Sequence, residues 1–553
     1  MTDAAAIRAP GRRKQLGAFY TPPAMAAVLT EWAVRSRADR VLDPSFGGLV
    51  FLAAARERLR HLGAYEDAIA RQLYGVDLDE DAHEAARAGV ERGIRKQHLL
   101  DRDFFAVDPS ERPLFEAVIG NPPYIRYQNF NGSAAKARAL AAEAGVKLTR
   151  LASSWAPFVI HGSSFVAPGG RLAQVLPAEL LHAQYASEVI EFLRRAFGRI
   201  CIVVFEERVF PGALEEVVLL CADGRGAAGL ADVRLVSCQT VTDVEAGLAG
   251  AATASEGDAQ RPMGSGKLLA QLLPRDTQLL YERLAAHDDV TRLGEAASVD
   301  IGIVTGANEF FVLSQGGAER LHPGLLRPAV CKATHVAGAR LTLEDHRGLL
   351  RSGQRSLMFV ADDRTPDAVL HSALGHVEQG RRDRLDERYK CRIRDPWWAL
   401  PIPKQGAPDL LLTYCSNEHP RLAVNEAGAL NTNTLHGVRP VDKRDSQILA
   451  VGFYNSLTLL SGELVGRSYG GGVLKLEPTE AEALLLPSMP PELGALMPHV
   501  DRAVRARDVD AAVDLVDPIV LGALGLSTEE VRRLRSGWGW LQERRTRRGR
   551  PAR

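Results

Sequence analysis

The sequence predicts an α/β protein: an open, doubly wound, mostly parallel sheet in the first half, followed by a separate mixed, β-rich domain. Three observations carry this reading. Short apolar runs that do not alternate with polar residues recur as far as Ala222, as strands covered on both faces require. Helical patterns separate them, giving the β–α–β–α rhythm of a doubly wound sheet. Beyond Ala222 the rhythm loosens, and Gly, Pro, Asn and Thr accumulate among shorter apolar runs.

The predicted strands come in order. Arg40-Val-Leu-Asp43 is the first and Leu73-Tyr-Gly-Val-Asp77 the second, and a weak third leads into Asp103. Ala117-Val-Ile-Gly-Asn121, Arg171-Leu-Ala-Gln-Val-Leu176, Ile200-Cys-Ile-Val-Val-Phe205 and Val217-Val-Leu-Leu-Cys221 follow. The last two lie close together, which predicts an antiparallel hairpin at one edge of the sheet. Residues 187–196 have apolar residues at helical spacing and basic residues near the end, so they read as a helix. Small and polar residues from 246 to 266 suit a surface connection. The expected organisation is a first domain over 1–245, a linker over 246–289, a second domain over 290–490 and a helical segment over 491–553. That segment carries Arg544, Arg545, Arg547, Arg548, Arg550 and Arg553, expected as a solvated tail that also touches phosphate.

Bulk properties narrow the function. A chain of 553 residues exceeds one ordinary core. Lys and Arg total 68 and Asp and Glu total 68, so the net charge is zero, which argues against a protein that simply coats nucleic acid. A local basic cleft stays compatible, because binding responds to the charge of one face. The six cysteines are scattered with no CxxC pair, which argues against a zinc site or a disulfide framework. The N-terminus is polar, and no apolar run approaches the roughly 20 residues that span a bilayer, so a cytoplasmic protein with no membrane partner is expected.

In a doubly wound sheet, ligands bind beyond the carboxyl ends of the strands. Asp43, Asp77 and Asp103 stand where three of those ends are predicted, and Asp43 opens a turn with Gly47 and Gly48. A glycine turn lets the backbone approach a ligand, and an acid after the second strand typically takes ribose hydroxyls. Capping of the following helices is the plainer role for such acids. Three at this spacing favour a nucleoside-type cofactor.

The fourth strand runs into Asn121-Pro122-Pro123-Tyr124. Prolines straight after a buried strand stop its ladder and fix the direction of the backbone. The Asn121 side-chain carbonyl and the Pro122 main-chain carbonyl then converge, and together they can accept both hydrogens of an amino group. Tyr124 offers a flat face on which a base can stack.

These motifs resemble the gamma-class amino-methyltransferases, specifically the TaqI-like adenine DNA methyltransferases of restriction–modification systems. Gly17-Ala-Phe19-Tyr20-Thr21-Pro22-Pro23 resembles that family's N-terminal cofactor motif. Asp43-Pro-Ser45-Phe-Gly47-Gly resembles its first-strand motif, with Phe46 and Leu49 where the family usually has a Cys and a second Gly. Gly75-Val-Asp77, Asp103-Phe104 and the Asn121 tetrapeptide follow in the family order, as do Pro168 to Pro177 and Glu207-Arg-Val-Phe210-Pro211. Around Gly302 to Asn308, Trp397 to Pro401, Asn431 to Leu435 and Gly466 to Gly472, the second half resembles the family's target-recognition region.

The resemblance implies a Rossmann-like methyltransferase sheet, S-adenosyl-L-methionine as cofactor and double-stranded DNA as substrate, with a separate cognate restriction endonuclease as a further partner. It assigns catalysis to Asn121, Pro122, Tyr124 and Phe210, with Phe210 as the second aromatic against a flipped base. It assigns cofactor contacts to Phe19, Tyr20, Thr21, Asp43, Ser45, Gly47, Asp77, Asp103, Phe104 and Asn121. The absence of a Pro-Cys nucleophile disfavours ring-carbon methylation of cytosine. The alternatives are an enzyme of the same fold acting on RNA or protein glutamine, which the large second domain argues against, and a non-catalytic DNA-binding relative. Arg392 and Arg394 beside Trp397, and Arg467 near Tyr469, are the candidate phosphate contacts.

Overall fold

The computed structural model describes residues 21–89, 94–125, 133–149, 152–181, 183–207, 209, 216–253, 268–362, 364–469 and 471–548. The chain divides into two compact units, one built from 1–272 and the other from 273–468 and 472–546, with 469–471 and 547–553 grouped with the first.

In the first unit β1 (Val41–Asp43), β2 (Leu73–Asp77), β3 (Leu99–Asp101), β4 (Phe115–Gly120), β5 (Val166–Pro177), β6 (Phe197–Phe205), β7 (Val217–Arg225) and β8 (Asp232–Cys238) form one sheet. Their order is β3-β2-β1-β4-β5-β7-β6-β8. β3, β2, β1, β4 and β5 run parallel to their neighbours, and β7 inserts antiparallel between β5 and β6. The predicted hairpin is therefore present, but β8 adds a further strand parallel to β6 outside it. β8 reads Asp-Val-Arg-Leu-Val-Ser-Cys, a polar-interrupted edge strand with none of the continuous apolar signal that marked the others.

The continuous runs have the expected cause. On β6, Ile200, Ile202 and Val204 enter one core while Cys201, Val203 and Phe205 enter the other. The first core lies under the helices Ala134–Glu143, Trp155–Ser163 and Gln184–Ala196, with Trp155 fully buried. The second packs the helices Pro23–Ala33 and Val50–His61 on the opposite face, through Met25, Leu29, Phe51 and Leu59. Apolar residues on both sides of a strand leave no polar alternation to read.

The second unit contains small sheets of five, four, three and two strands. It is also strongly helical, and the segment that the sequence sets apart as a C-terminal extension belongs to it. Helices Met497–Arg505, Val509–Ala523 and Thr528–Arg548 bury Val500, Val513, Val516, Leu521, Leu534 and Trp538. The linker expected over 246–289 likewise holds most of one helix, Val244–Thr253, and all of another, Arg275–Ala285. The arginine tail needs a correction as well. Arg544 and Arg545 are buried, and Arg545 pairs with buried Glu463 at 2.6 Å. Arg545 also donates to the main-chain carbonyls of Asn417 (2.9 Å) and Glu418 (2.8 Å) and to that of Gly472. A buried charge persists only where its geometry is completed in this way.

Candidate functional site

Parallel pairing brings the ends of β1, β2 and β4 side by side, because Asp43 stands opposite Gly75 and Leu42 opposite Val118. β1 lies between β2 and β4, where the strand order reverses, and this is the crevice where open α/β sheets bind ligands.

The turn after β1 is tied to both neighbours. Its Gly47 amide donates to Asp77 Oδ2 at 2.8 Å, with Gly47 at φ +46°, a backbone region that favours glycine. The Ser45 hydroxyl donates to the main-chain carbonyl of Asn121 at 3.1 Å. Phe46 and Leu49, the two departures from the family pattern, are buried together with Leu52, Ala82 and Ala86 beneath the turn. Leu49 adopts φ 65°, a left-handed backbone that a non-glycine residue seldom takes. Gly75 makes room for Phe46, whose Cδ1 would stand 2.7 Å from a Cβ added there.

Asp43 is fully buried and accepts from the Ser45 amide at 3.1 Å through Oδ1. Among the described residues its Oδ2 has no hydrogen-bond partner. Burial pushes the carboxyl up to about 8 against the Ser45 hydrogen bond, and the neighbouring charge of Asp77 adds to the rise. Gly120 fits beneath it, where a Cβ would fall 2.7 Å from Asp43 Oδ1. Asp77 is half-buried and also accepts from the Asp79 amide at 2.8 Å. Asp103 accepts from the Phe105 amide at 3.0 Å and from the Ser133 hydroxyl, so it caps the turn Phe104–Ala106.

At the end of β4 the half-buried Asn121 side chain is held at both of its polar ends. Its Nδ2 donates to Thr21 Oγ1 at 3.1 Å, and its Oδ1 accepts from the Tyr124 hydroxyl at 2.7 Å. That hydroxyl has a second acceptor within reach, the carbonyl of Val175 on β5 at 3.0 Å. Pro122 is buried. Ser154, which the sequence reading missed, secures the exit of the tetrapeptide: its hydroxyl donates to the Pro123 carbonyl and accepts from the Ile125 amide at 2.8 Å. Its partners are about thirty residues away, and no local pattern signals such a contact.

The structure thus brings Thr21, Asp43, Ser45, Gly47, Asp77, Asn121, Pro122 and Tyr124 to one edge of the sheet. Phe104 is a correction. It is 3% exposed and packs against Phe158, His161 and Phe165 with ring centroids 4.7–5.3 Å apart, so in this structure it is a core residue that offers no face to a ligand. Phe19, Tyr20 and Phe210 lie outside the described residues. Two candidate phosphate contacts are also occupied. Arg394 donates to the carbonyls of Val304 (2.6 Å) and Thr305 (2.9 Å), and Arg467 pairs with Glu480 at 2.6 Å.

The chain also has relatives among known proteins. Residues 7–215 match the N-6 DNA methylase family, and residues 265–521 match the C-terminal domain of the Type II methyltransferase M.Eco57I. The chain is 27% identical over 489 residues to the Type II methyltransferase M.XamI of Xanthomonas campestris pv. amaranthicola, covering 86% of each chain. It is 22% identical over 481 residues to M.AccI of Acinetobacter calcoaceticus, covering 85% of this chain and 84% of that one. In fold it resembles the Type IIL restriction–modification enzyme MmeI, solved in complex with DNA, with a TM-score of 0.60 and 12% identity over 98% of this chain and 81% of that one.

Proposed function

The chain belongs to the N-6 DNA methylase family of restriction–modification methyltransferases, and from that premise we propose which residues carry out methyl transfer to the N6 amine of adenine. The observation that carries the proposal is the Asn121 side chain, fixed at the end of β4 beside the β1 turn that holds Asp43 and Asp77.

The residues present fit S-adenosyl-L-methionine. Asp77 stands after the second strand, where ribose hydroxyls are expected, and its carboxylate is oriented there by the Gly47 and Asp79 amides. The buried Asp43 Oδ2 makes no hydrogen bond to any described residue. When bound, the cofactor supplies an electrophilic methyl group on a sulfonium. The protein's own part is to bind, orient and exclude water.

An adenine inside duplex DNA hides its amine, so it must rotate out of the helix, at a cost of a few kcal/mol. Asn121 Oδ1 and the Pro122 carbonyl accept the two amino hydrogens and turn the nitrogen lone pair out of conjugation. Before the base arrives, the Tyr124 hydroxyl satisfies Asn121 Oδ1. Its single hydrogen then transfers its bond to the Val175 carbonyl, freeing Asn121 without orphaning a buried donor. The Tyr124 ring stacks on the base, a contact worth about 1–3 kcal/mol. Phe210 is the second aromatic in this reading, and orientation supplies much of the rate. Protection of one DNA sequence by methylation implies a separate cognate endonuclease as a partner.

The test is to express the protein, sequence the host DNA for N6-methyladenine, and include Asn121→Ala as the control. Modified adenines confined to one sequence context support the proposal. Unmodified DNA from cells that contain folded protein overturns it.

A further inference from the structure

Three motifs of the second unit, around Gly302, Trp397 and Asn431, meet at one loop. Ile303 pairs with the 431–433 segment, its amide donating to the Asn431 carbonyl (2.8 Å) and its carbonyl accepting from the Asn433 amide (3.2 Å). Gly302 is required there, because a Cβ would fall 2.2 Å from the Thr432 carbonyl. On the other side Arg394 holds the carbonyls of Val304 and Thr305 and lies over the Phe311 ring at 5.6 Å. Gly306, at φ +80°, packs so close to the next turn that a Cβ would stand 2.8 Å from Lys390 Cβ. Trp397 closes the base against Phe310, with centroids 5.0 Å apart.

What this platform presents outward is largely distinct from what holds it together, although Arg388 Nη1 also donates to the Gly306 carbonyl at 3.4 Å. The turn Tyr389–Arg392 continues by a bond from the Ile393 amide to the Tyr389 carbonyl, which sets those two side chains one helical turn apart on one side. Tyr389 is 63% exposed and Ile393 61% exposed. Between and beside them Arg388, Lys390 and Arg392 are exposed, and so are Arg381 and Arg382 at the end of the preceding helix Leu374–Arg382. Among the described residues none of these five cations has a carboxylate partner, whereas nearby Arg384 is paired with Glu387 and Arg355 with Glu309. Residues 381–394 carry seven Arg and Lys against three Asp and Glu, a net charge of +4 in a chain whose net charge is zero. Lys390 Nζ stands 5.6 Å from the Tyr389 ring centroid.

Cations left without acidic partners around two exposed apolar side chains suit a polyanion that also has flat, apolar faces. We infer that the 381–394 segment is a duplex-DNA contact of the second unit. In this assignment Arg388, Lys390 and Arg392 take backbone phosphates, and Tyr389 with Ile393 press against sugars and bases. Arg394, two residues from Arg392, belongs to the platform and not to the contact. This inference rests on DNA being the substrate.

The experiment measures binding of the full-length protein to duplex DNA across a salt series. In the triple variant Arg388→Gln/Lys390→Gln/Arg392→Gln, the slope of log affinity against log salt should fall by about 2.7, near 0.9 per phosphate contact. Affinity near 0.1 M salt should drop by roughly two orders of magnitude. Tyr389→Ala with Ile393→Ala should keep the slope and lose about ten- to a hundredfold in affinity. The triple Lys390→Arg/Arg392→Lys/Arg388→Lys variant should retain binding. Unchanged S-adenosyl-L-methionine affinity and thermal unfolding show that each variant is folded. A folded triple Gln variant with the parent slope overturns the inference and leaves the substrate reading intact. A parent protein with no salt-dependent affinity for duplex DNA overturns the substrate reading itself.

Discussion

At the edge of the eight-stranded sheet, motif residues meet with bonding capacity held in reserve. At the loop of the second unit, Arg394 and Asn431 spend theirs on neighbouring main-chain carbonyls. Asp43 is wholly buried with an oxygen that no described residue uses, and Asn121 is held by a hydroxyl that has another acceptor nearby. By contrast, Arg394 spends its donors on two carbonyls, Asn431 Nδ2 donates to the Leu435 carbonyl at 2.8 Å, and Trp397 fills the core. Equally recognisable motifs therefore do different work. In our proposal the first set meets the ligand, while the second supports a loop whose outward residues do the touching.

The sharpest way to break that contrast is Asn121→Ala. Methylation of duplex DNA should fall by at least roughly 10²–10³-fold while the circular dichroism of the folded protein is preserved. A variant that still turns over at near the parent rate would show that Asn121 is only a structural bond between Thr21 and Tyr124. The second unit calls for the opposite outcome. Arg545→Met leaves the Glu463 charge buried without its partner, so urea unfolding should show a loss of about 3–5 kcal/mol confined to that unit. A smaller effect is expected at Asp77. Asp77→Ala should weaken cofactor binding in calorimetry by tenfold or more, as loss of a charge-assisted bond worth about 1.5–3 kcal/mol requires, with little change in DNA affinity. An unchanged cofactor affinity would make Asp77 merely the anchor of the Gly47 turn.

Asp43 gives a pH signature. Its carboxyl is pushed up to about 8 in the folded protein, against about 3.9 in an unfolded chain. The folded state then holds a proton that the unfolded state releases. That contribution to stability is complete below about pH 4 and is lost as pH rises toward about 8, at no more than about 1.4 kcal/mol per pH unit. Asp43→Asn should flatten this part of the stability profile measured by denaturant titration across pH. The same slope in parent and variant would place the burial penalty elsewhere.

The proposed site was legible where Asp43 and Asp77 end strands and Asn121 directly follows one, because those strands announce themselves by continuous apolar runs. β2 spans the same residues that the pattern predicts, and the Asn121 tetrapeptide stands directly after β4. Where partners are distant, the signal vanished. Ser154 reaches Pro123 across the fold, and the burial of Phe104 follows from Phe158 and Phe165, which no window around Asp103 contains. The arginine tail misled for the same reason: a basic run reads as solvated unless its carboxylate partner is visible nearby in sequence.

That last pairing sets an order of events during synthesis. Glu463 and the Arg545 that neutralises it are separated by 82 residues. As the chain leaves the ribosome from its N-terminus, the sheet through β8 is available for folding long before either member of the pair appears. The second unit, with Glu463 already made, must wait for Arg545 before it can close around that charge. A nascent chain therefore passes through a stage in which all eight strands of the sheet exist while Glu463 still lacks its partner.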